Sequence, residues 1–283
     1  SHTDEYMADP IIGEIATIDP QGIVTPPAGL EIGYVPIVTK QAKTEPKLRV
    51  FVLAGQSNME GFGTVEDAEN DPGSLIDVID NDVDGNWSEI GTAGNWTSLE
   101  GASLYFANNG DTIRTNVTVG QGNNPNLIGA ELIFAHQLDN YFEDPVLIIK
   151  TAWGGKNLAV DFRPPSAGGE TGAFYNEMIK TVQDVTQNLE NEFPYLNTNE
   201  FEISGFAWFQ GWNDGASDSF LNEYESNLRH LVNDVRMDLG QAELPVVIAN
   251  SGHGGFEARS DQWVQSMQNR IAVAQENVGC DDT

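Results

Sequence analysis

The chain has 283 residues, 40% of them hydrophobic, which suffices for one large α/β domain or two small ones. Its 43 acidic residues exceed its 13 basic ones, and the resulting charge of −30 would repel nucleic acid and anionic membranes. We therefore expect no nucleic-acid partner, and no membrane insertion either, because no apolar run approaches the ~18 residues that a spanning helix needs.

The cysteine count, the first residue and the glycosylation-type triplets indicate where in or outside the cell the protein is located. Cys280 is the single cysteine, so an intrachain disulfide is impossible, and redox or zinc chemistry is not expected. The chain begins at Ser1, and Asn-x-Ser/Thr triplets start at Asn86, Asn95 and Asn116. These features favour a secreted or extracytoplasmic protein whose leader has been removed, or a fragment. The acidic surface fits that location or a saline habitat, but plain solvation explains it equally well.

Residues 1–47 are rich in Pro, Gly, Ile, Val and Thr and show no helical period, which predicts an extended arm or the end of a preceding module. Residues 48–283 alternate between two kinds of pattern. Apolar runs predict strands at 49–54, 146–150, 202–209 and 244–250, and apolar stripes predict helices at 128–142, 175–189, 220–239 and 261–274. This alternation indicates an α/β domain with a parallel sheet and helices on both faces.

A Gly-, Asn- and Asp-rich insertion spans about residues 63–126, with β-like segments at 75–79 and 96–106. Loops of this length usually form lids or walls of a site. Residues 80–85 match the first half of a calcium loop, but its twelfth position is Gly91 instead of the glutamate that the motif requires. A hairpin turn at Asp84 and Gly85 explains the same residues. Calcium binding and a plain turn therefore stay alternatives for this segment.

The first predicted strand ends abruptly at a serine. Gly55 and Gly61 flank this segment and permit the tight backbone that would lift the Ser57 hydroxyl out of the sheet. Such a serine is a candidate nucleophile, although an ordinary turn after a strand has the same composition.

Polar and glycine-rich segments follow all four predicted strands, at 55–58, 153–157, 210–214 and 251–255. The carboxyl ends of parallel strands share one edge, where ligands bind. Acyl transfer needs a hydroxyl nucleophile and donors aimed at the developing oxyanion. Ser57 offers both a hydroxyl and an N–H, Gly155 an N–H, and Gln210 or Asn213 a side-chain amide. The residues predicted to line the substrate are Gln56, Asn58, Trp153, Lys156, Asn157, Arg163, Trp212 and His253; the two tryptophans would either stack on sugar rings or pack under the loops.

Three of these segments, 55–59, 153–155 and 208–214, resemble the first three blocks of the SGNH hydrolases. Within that superfamily they are most similar to the sialate O-acetylesterase and carbohydrate acetylesterase branch, from about Arg49 onward. The resemblance implies a three-layer α/β/α, flavodoxin-like fold, with no metal in the functional site and no cofactor. It also implies Ser57 as nucleophile and an O-acetylated carbohydrate as substrate. Oxyanion donors would be the N–H groups of Ser57 and Gly155 with an amide of Gln210 or Asn213.

One block of that family is not found. Its general base is a histidine in an Asp-x-x-His block near the carboxyl terminus, and this sequence contains no such block. We expect either that the chain stops before the catalytic histidine or that catalysis has been lost. His253 follows the last predicted strand and is a weaker candidate, whereas His136 and His230 fall on predicted helices. The alternative function is a non-catalytic carbohydrate-binding or structural extracellular domain. A lipid esterase is less favoured because the predicted cleft is polar and Trp-rich. Oligomeric state is not indicated.

Overall fold

The computed structural model describes residues 47–249 except 67–72, 86, 109, 197 and 199, and the backbone of two short strands nearer the amino terminus. These two strands, β1 (Thr17–Ile18) and β2 (Val24–Thr25), pair antiparallel. The chain divides into two compact units, Ser1–Thr44 and Glu45–Thr283, of which the second contains all the other elements.

Ten further strands and six α-helices make up the second unit as described. The strands are β3 (Leu48–Gly55), β4 (Gly63–Thr64), β5 (Gly91–Thr92), β6 (Asn95–Trp96), β7 (Ala102–Asn108), β8 (Asp111–Asn116), β9 (Leu127–Ile128), β10 (Val146–Ala152), β11 (Phe201–Phe209) and β12 (Val246–Ile248). The helices are α1 (Ser57–Glu60), α2 (Leu75–Asp80), α3 (Ala130–Tyr141), α4 (Ala173–Gln187), α5 (Leu189–Glu192) and α6 (Asp218–Asp238).

Six strands form the central sheet in the order β12-β11-β3-β10-β7-β8. The first five run parallel, and β8 is antiparallel to β7. In the register, Gly55 pairs with Ala152 on one side and with Phe209 on the other. The carboxyl ends of β3, β10 and β11 therefore lie level at one edge, as the sequence predicts.

Two separate cores lie on the two faces of the sheet. One contains side chains of β3, β10 and β11 packed against α4 and α6, including Met178, Val182, Leu228 and Leu231. The other packs the opposite side chains of β3 and β10 against α3, with Leu132 and Ala135. All seven residues of β10 are buried, as expected for a strand covered on both faces. These layers confirm the predicted α/β class with helices on both faces.

The insertion is more regular than its composition indicates, since it supplies β7 and β8 to the central sheet. The β-like prediction for residues 75–79 is wrong, because this segment forms helix α2. Ser74 caps that helix by accepting a hydrogen bond from the Asp77 N–H at 3.2 Å, and Leu75 is buried against the second core. The helix cap and the burial of one apolar face therefore outweigh the strand preference of the β-branched residues in this segment.

The predicted strand positions are confirmed for β3, β10, β11 and β12, and the predicted helices at 128–142, 175–189 and 220–239 correspond to α3, α4 and α6. His253 and the predicted helix at 261–274 lie outside the described residues. Within the described ranges, no helix is both long and apolar enough to cross a bilayer. The same ranges hold no group of three or more His, Cys, Asp or Glu side chains arranged for a metal ion.

Candidate active site

Ser57 begins helix α1 immediately after the central strand β3. The turn depends on Gly55, whose φ is +157°, because a Cβ at this position would lie 2.3 Å from the carbonyl oxygen of Phe209. Ser57 is half-buried, and its Oγ accepts a hydrogen bond from Gln56 Nε2 at 3.5 Å. The hydroxyl therefore stands at the carboxyl edge of the sheet.

Gln56 is 1% exposed and points inward, although the sequence predicts that it lines the substrate. Its Oε1 accepts from the N–H groups of Gly211 and Asn213, each at 3.3 Å, and from Gln210 Nε2 at 3.2 Å. Its Nε2 donates to Ser57 Oγ and, at 3.3 Å, to Asn213 Oδ1. This single amide joins the serine segment to the segment that follows β11.

The two candidate amide donors have different surroundings. Gln210 is 2% exposed, and its Nε2 lies within hydrogen-bond distance of Gln56 Oε1, of the Lys156 carbonyl oxygen at 3.0 Å and of Asp214 Oδ2 at 2.6 Å. Asn213 is half-buried, and because its Oδ1 accepts from Gln56, its Nδ2 faces away from that contact. The Gln210 amide thus lies among acceptors of the protein itself, whereas Asn213 Nδ2 points away from Gln56.

Gly155 lies opposite that Nδ2 atom. Its φ of +73° is left-handed, and a Cβ built on it would have Asn213 Nδ2 as its neighbour at 3.7 Å. Gly155 is exposed, so its backbone is accessible from the carboxyl edge. The Gly155 backbone and the Asn213 amide therefore approach one another across the edge where Ser57 stands.

Asp214 is fully buried beneath this edge and was given no role by the sequence. Its carboxylate accepts from Gln210 Nε2 and from the N–H groups of Leu158 and Ala159 at 2.9–3.0 Å. Burial raises the pKa of this carboxyl to about 6, and these hydrogen bonds lower it only in part. Asp214 joins the turn after β11 to the loop after β10. The signal available in the sequence was an acidic residue directly after a predicted amide donor.

Three residues predicted to line the substrate stabilise the loop after β10. Asn157 Oδ1 accepts from the Val160 N–H at 2.7 Å, and Lys156 Nζ lies 3.6 Å from Asp161 Oδ1 and 4.3 Å from the centre of the Phe174 ring. The Arg163 guanidinium pairs with Glu223 at 3.0 Å, and it donates to the carbonyls of residues 159, 167 and 168. Their contacts with a substrate stay a prediction.

The two tryptophans at this edge differ in exposure. Trp153 is half-buried, with its ring 5.1 Å from that of Phe174 and 5.9 Å from that of Phe162. These contacts correspond to the second of the two roles considered from the sequence, packing under the loops. Trp212 is 47% exposed in the turn that also holds Asn213. Asn58, one residue after the serine, is exposed.

The histidines of the described residues lie on helices, as predicted. His136 is 5% exposed on α3, where burial lowers its pKa. His230 on α6 is hydrogen-bonded through Nδ1 to Ser166 Oγ at 2.7 Å. His253 lies beyond the described part of the chain.

Comparison with known proteins identifies the family of the chain. A family model described as carbohydrate esterase, sialic acid-specific acetylesterase matches residues 47–283. Comparison with curated protein sequences found no match.

Among solved structures, a protein from Arabidopsis thaliana has 18% identity, covers 82% of this chain and 84% of its own, and superimposes with a TM-score of 0.53. A carbohydrate acetylesterase from Xanthomonas citri has 17% identity over 79% of this chain and 46% of its own, with a TM-score of 0.47. The protein NanS has 14% identity over 82% and 74%, with a TM-score of 0.48. At these identities the likeness concerns the fold alone.

Proposed function

Because the chain belongs to the carbohydrate esterase family of sialic acid-specific acetylesterases, we propose that it removes O-acetyl groups from a carbohydrate through an acetyl intermediate on Ser57. The proposal assigns Ser57 as nucleophile. It assigns the N–H groups of Ser57 and Gly155 and the Nδ2 of Asn213 as oxyanion donors.

One observation carries this proposal. Gln56 Nε2 reaches both Ser57 Oγ at 3.5 Å and Asn213 Oδ1 at 3.3 Å, so a single buried amide sets the nucleophile and the amide donor relative to each other. Gly155 adds a glycine backbone on the far side of Asn213 Nδ2. A hydroxyl with two or three convergent donors is the arrangement that acyl transfer requires.

Among the amides, Asn213 is the better donor. The Nε2 of Gln210 lies among three acceptors of the protein, so an oxyanion would have to compete with Asp214, Gln56 and the Lys156 carbonyl. Asn213 uses its Oδ1 for Gln56 and keeps Nδ2 for the side of Gly155. A donor that is already oriented costs no reorganisation during the reaction.

The reaction would proceed in two steps. Ser57 Oγ attacks the acetyl carbonyl, the C–O bond to the sugar breaks, and the sugar leaves as an alcohol after receiving a proton. Water then attacks the acetyl-serine, releasing acetate and restoring the Ser57 hydroxyl. Both steps pass through a tetrahedral oxyanion, which the three donors stabilise.

Ser57 also needs a base to accept its proton. His253 is the histidine that the sequence puts after β12, whose carboxyl end shares the edge of the sheet with β11. Replacing His253 by alanine decides its role. A loss of rate as large as that of Ser57→Ala would assign the proton transfer to His253, and retained activity would assign it elsewhere.

The carbohydrate part of the proposal is supported by Trp212. Its half-exposed indole stands two residues from Gln210 and next to Asn213, where a sugar ring could stack. O-acetylated sialic acid and acetylated xylan represent the two substrate classes, a single acidic sugar and a neutral polysaccharide.

Acetate release from these substrates and from 4-nitrophenyl acetate tests the proposal. We expect Ser57→Ala to lower the rate by at least about 10³-fold, whereas Ser88→Ala, at an exposed serine in the 3₁₀-helix Ser88–Ile90, leaves it unchanged. Equal rates for the parent chain and Ser57→Ala would refute the nucleophile. Preference for octanoyl over acetyl esters would refute a carbohydrate acetylesterase in favour of a lipid esterase.

A further inference from the structure

A lysine is buried beneath the candidate active site, where its ammonium makes two hydrogen bonds and one ion pair. Lys150 of β10 is 1% exposed, and its Nζ donates to the carbonyl oxygens of Glu60 and Gln121 and pairs with Glu131 Oε2, each at 2.9 Å. The ammonium also lies 4.0 Å from the centre of the Phe106 ring. Two carbonyl oxygens and one carboxylate thus stabilise a cation that burial alone would strongly disfavour. Lys150 thus fixes the carboxyl end of α1, the helix that Ser57 begins.

Glu60 is the last residue of that helix and is itself 5% exposed. Its Oε1 accepts from Asn123 Nδ2 at 3.4 Å, and its carboxylate faces the backbone of Gly154. A Cβ on Gly154 would lie only 2.8 Å from Glu60 Oε2, which shows how closely the carboxylate approaches this turn. The raised pKa of Glu60 reflects its burial, with Lys150, Asn123 and Gly154 each acting in the opposite direction. One side chain therefore connects the helix of Ser57 to the residue immediately before Gly155.

We infer that Glu60 is a positioning residue for the proposed acetylester hydrolysis: its carboxylate holds the turn at Gly154 and Gly155 at a fixed distance from Ser57. The inference rests on the proposed function. The two backbone donors of the proposed oxyanion hole belong to different segments, one to α1 and the other to the loop after β10. Catalytic donors have to be held within about 0.5 Å of the productive geometry. The close approach of the Glu60 carboxylate to Gly154 supplies this restraint, and Lys150 holds Glu60 through its backbone carbonyl oxygen.

If Glu60 has this role, its removal should slow the chemical step without weakening substrate binding. In Glu60→Ala, Gly155 moves relative to Ser57, and we expect kcat to fall by about 10²-fold with KM changed by less than about threefold. Glu60→Gln keeps a side chain of the same size beside Gly154, so it should recover most of the rate. Asp144→Ala is the matched control, because it removes a carboxylate that pairs with Arg49 at the opposite end of the same strands. It should leave kcat unchanged.

A second substitution tests the same contact from the other side. Gly154→Ala would push the Glu60 carboxylate away from the turn, and we expect a similar fall in kcat. In the double variant with Glu60→Ala, the added methyl group meets no carboxylate, so the rate should equal that of Glu60→Ala alone. Two losses that multiply would instead indicate independent effects and overturn the inference.

The experiment measures kcat and KM on 4-nitrophenyl acetate, together with the thermal midpoint of each variant. Ser57-dependent activity in the parent chain, combined with an unchanged kcat in Glu60→Ala, would overturn the positioning role and leave the proposed function intact. Lack of Ser57-dependent activity in the parent chain would refute both the proposed function and the positioning role. If Glu60→Ala does not fold, the comparison of Glu60→Gln with Gly154→Ala decides: retained kcat in the first and lost kcat in the second support the role, and equal kcat values refute it.

Discussion

Gln56 and Asn213, 157 residues apart in the chain, are joined by two hydrogen bonds of 3.3 Å. The Gln56 amide donates to Asn213 Oδ1, and the Asn213 backbone N–H donates back to Gln56 Oε1. This reciprocal pair leaves the Asn213 side chain one orientation, with Nδ2 towards Gly155. A buried glutamine thus sets the direction of an amide at the surface of the site.

The first prediction concerns this amide. Asn213→Ala removes a donor that the proposed oxyanion would bind, so we expect kcat for acetate release to fall by about 10²–10³-fold with little change in KM. Gln210→Ala should act mainly on folding, because it leaves buried partners of its amide without a donor, at a cost of about 1–3 kcal/mol in the free energy of unfolding.

Steady-state kinetics and urea denaturation on both variants separate the two roles. If Gln210→Ala lost kcat by the larger factor while keeping its stability, the assignment would have to be reversed. Asn213→Asp provides a further comparison, because it keeps the Oδ1 acceptor for Gln56 but replaces the donor with an anion.

The second prediction uses the left-handed glycine of the site. Gly155→Ala introduces both backbone strain, since φ is +73°, and a methyl group directed at Asn213 Nδ2. We expect a loss of about 1 kcal/mol in the free energy of unfolding and a fall in kcat of at least about tenfold. Gly168→Ala is the matched control, because its φ is +76° and a Cβ there meets nothing within 4 Å.

Gly168→Ala should therefore show a similar loss of stability and no loss of kcat. Circular dichroism melting and acetate release on the same preparations give both values. A parallel fall of kcat in the two variants would mean that loop strain, and not the space beside Asn213, limits the rate.

The sequence predicts this edge of the sheet well because each strand there has a strong local signal. The apolar run that ends at Gly55 and the glycines at 154–155 can be read from neighbouring residues alone. The direction of the Gln56 side chain cannot, since its partners are three residues that follow β11, more than 150 positions away. A polar residue beside a nucleophile looks like a substrate ligand until its long-range partners are known.

The prediction for the insertion at residues 63–126 fails for a related reason. Residues 102–116 form a hairpin of β7 and β8, and the pairing that brings it into the central sheet is between β7 and β10, about 40 residues further along the chain. Lys150 was likewise missed, because a charged residue in an otherwise apolar strand signals a buried partner without naming it. Glu60 was missed because its partners Asn123 and Lys150 lie more than 60 positions away in the chain. Loops predicted from Gly, Asn and Asp content can therefore contain core strands.

The third prediction concerns the substrate. Trp212→Ala removes the half-exposed indole beside Asn213, and we expect KM for O-acetylated carbohydrate to rise by about three- to tenfold, the equivalent of the ~0.5–1.5 kcal/mol of one aromatic contact. Trp212→Phe should retain most of the affinity. The internal control is 4-nitrophenyl acetate, which has no sugar ring, and its KM should stay unchanged. Equal changes on both substrates would assign Trp212 to packing of the turn.

The fourth prediction concerns pH and Asp214. In the folded chain its pKa is about 6, against 3.8 for an ordinary aspartate, so the folded state binds this proton more tightly than the unfolded state does. The resulting stabilisation is complete below about pH 3.8 and is lost as pH rises to about 6. A rise of this size corresponds to about 3 kcal/mol. Because Asn cannot titrate, the free energy of unfolding of the parent chain relative to Asp214→Asn should fall by up to that amount between about pH 4 and pH 7.

Urea denaturation of the two proteins, followed by tryptophan fluorescence across this range, measures that difference directly, because the other titrating groups are common to both and cancel. A constant difference would mean that the folded and unfolded states bind the Asp214 proton equally across this range. A difference that grew with pH would mean that the donors at Gln210, Leu158 and Ala159 outweigh burial and hold the carboxylate ionised. In that case the loop that carries Gly155 would be held most firmly at neutral pH, and the loss of stability would appear on acidification.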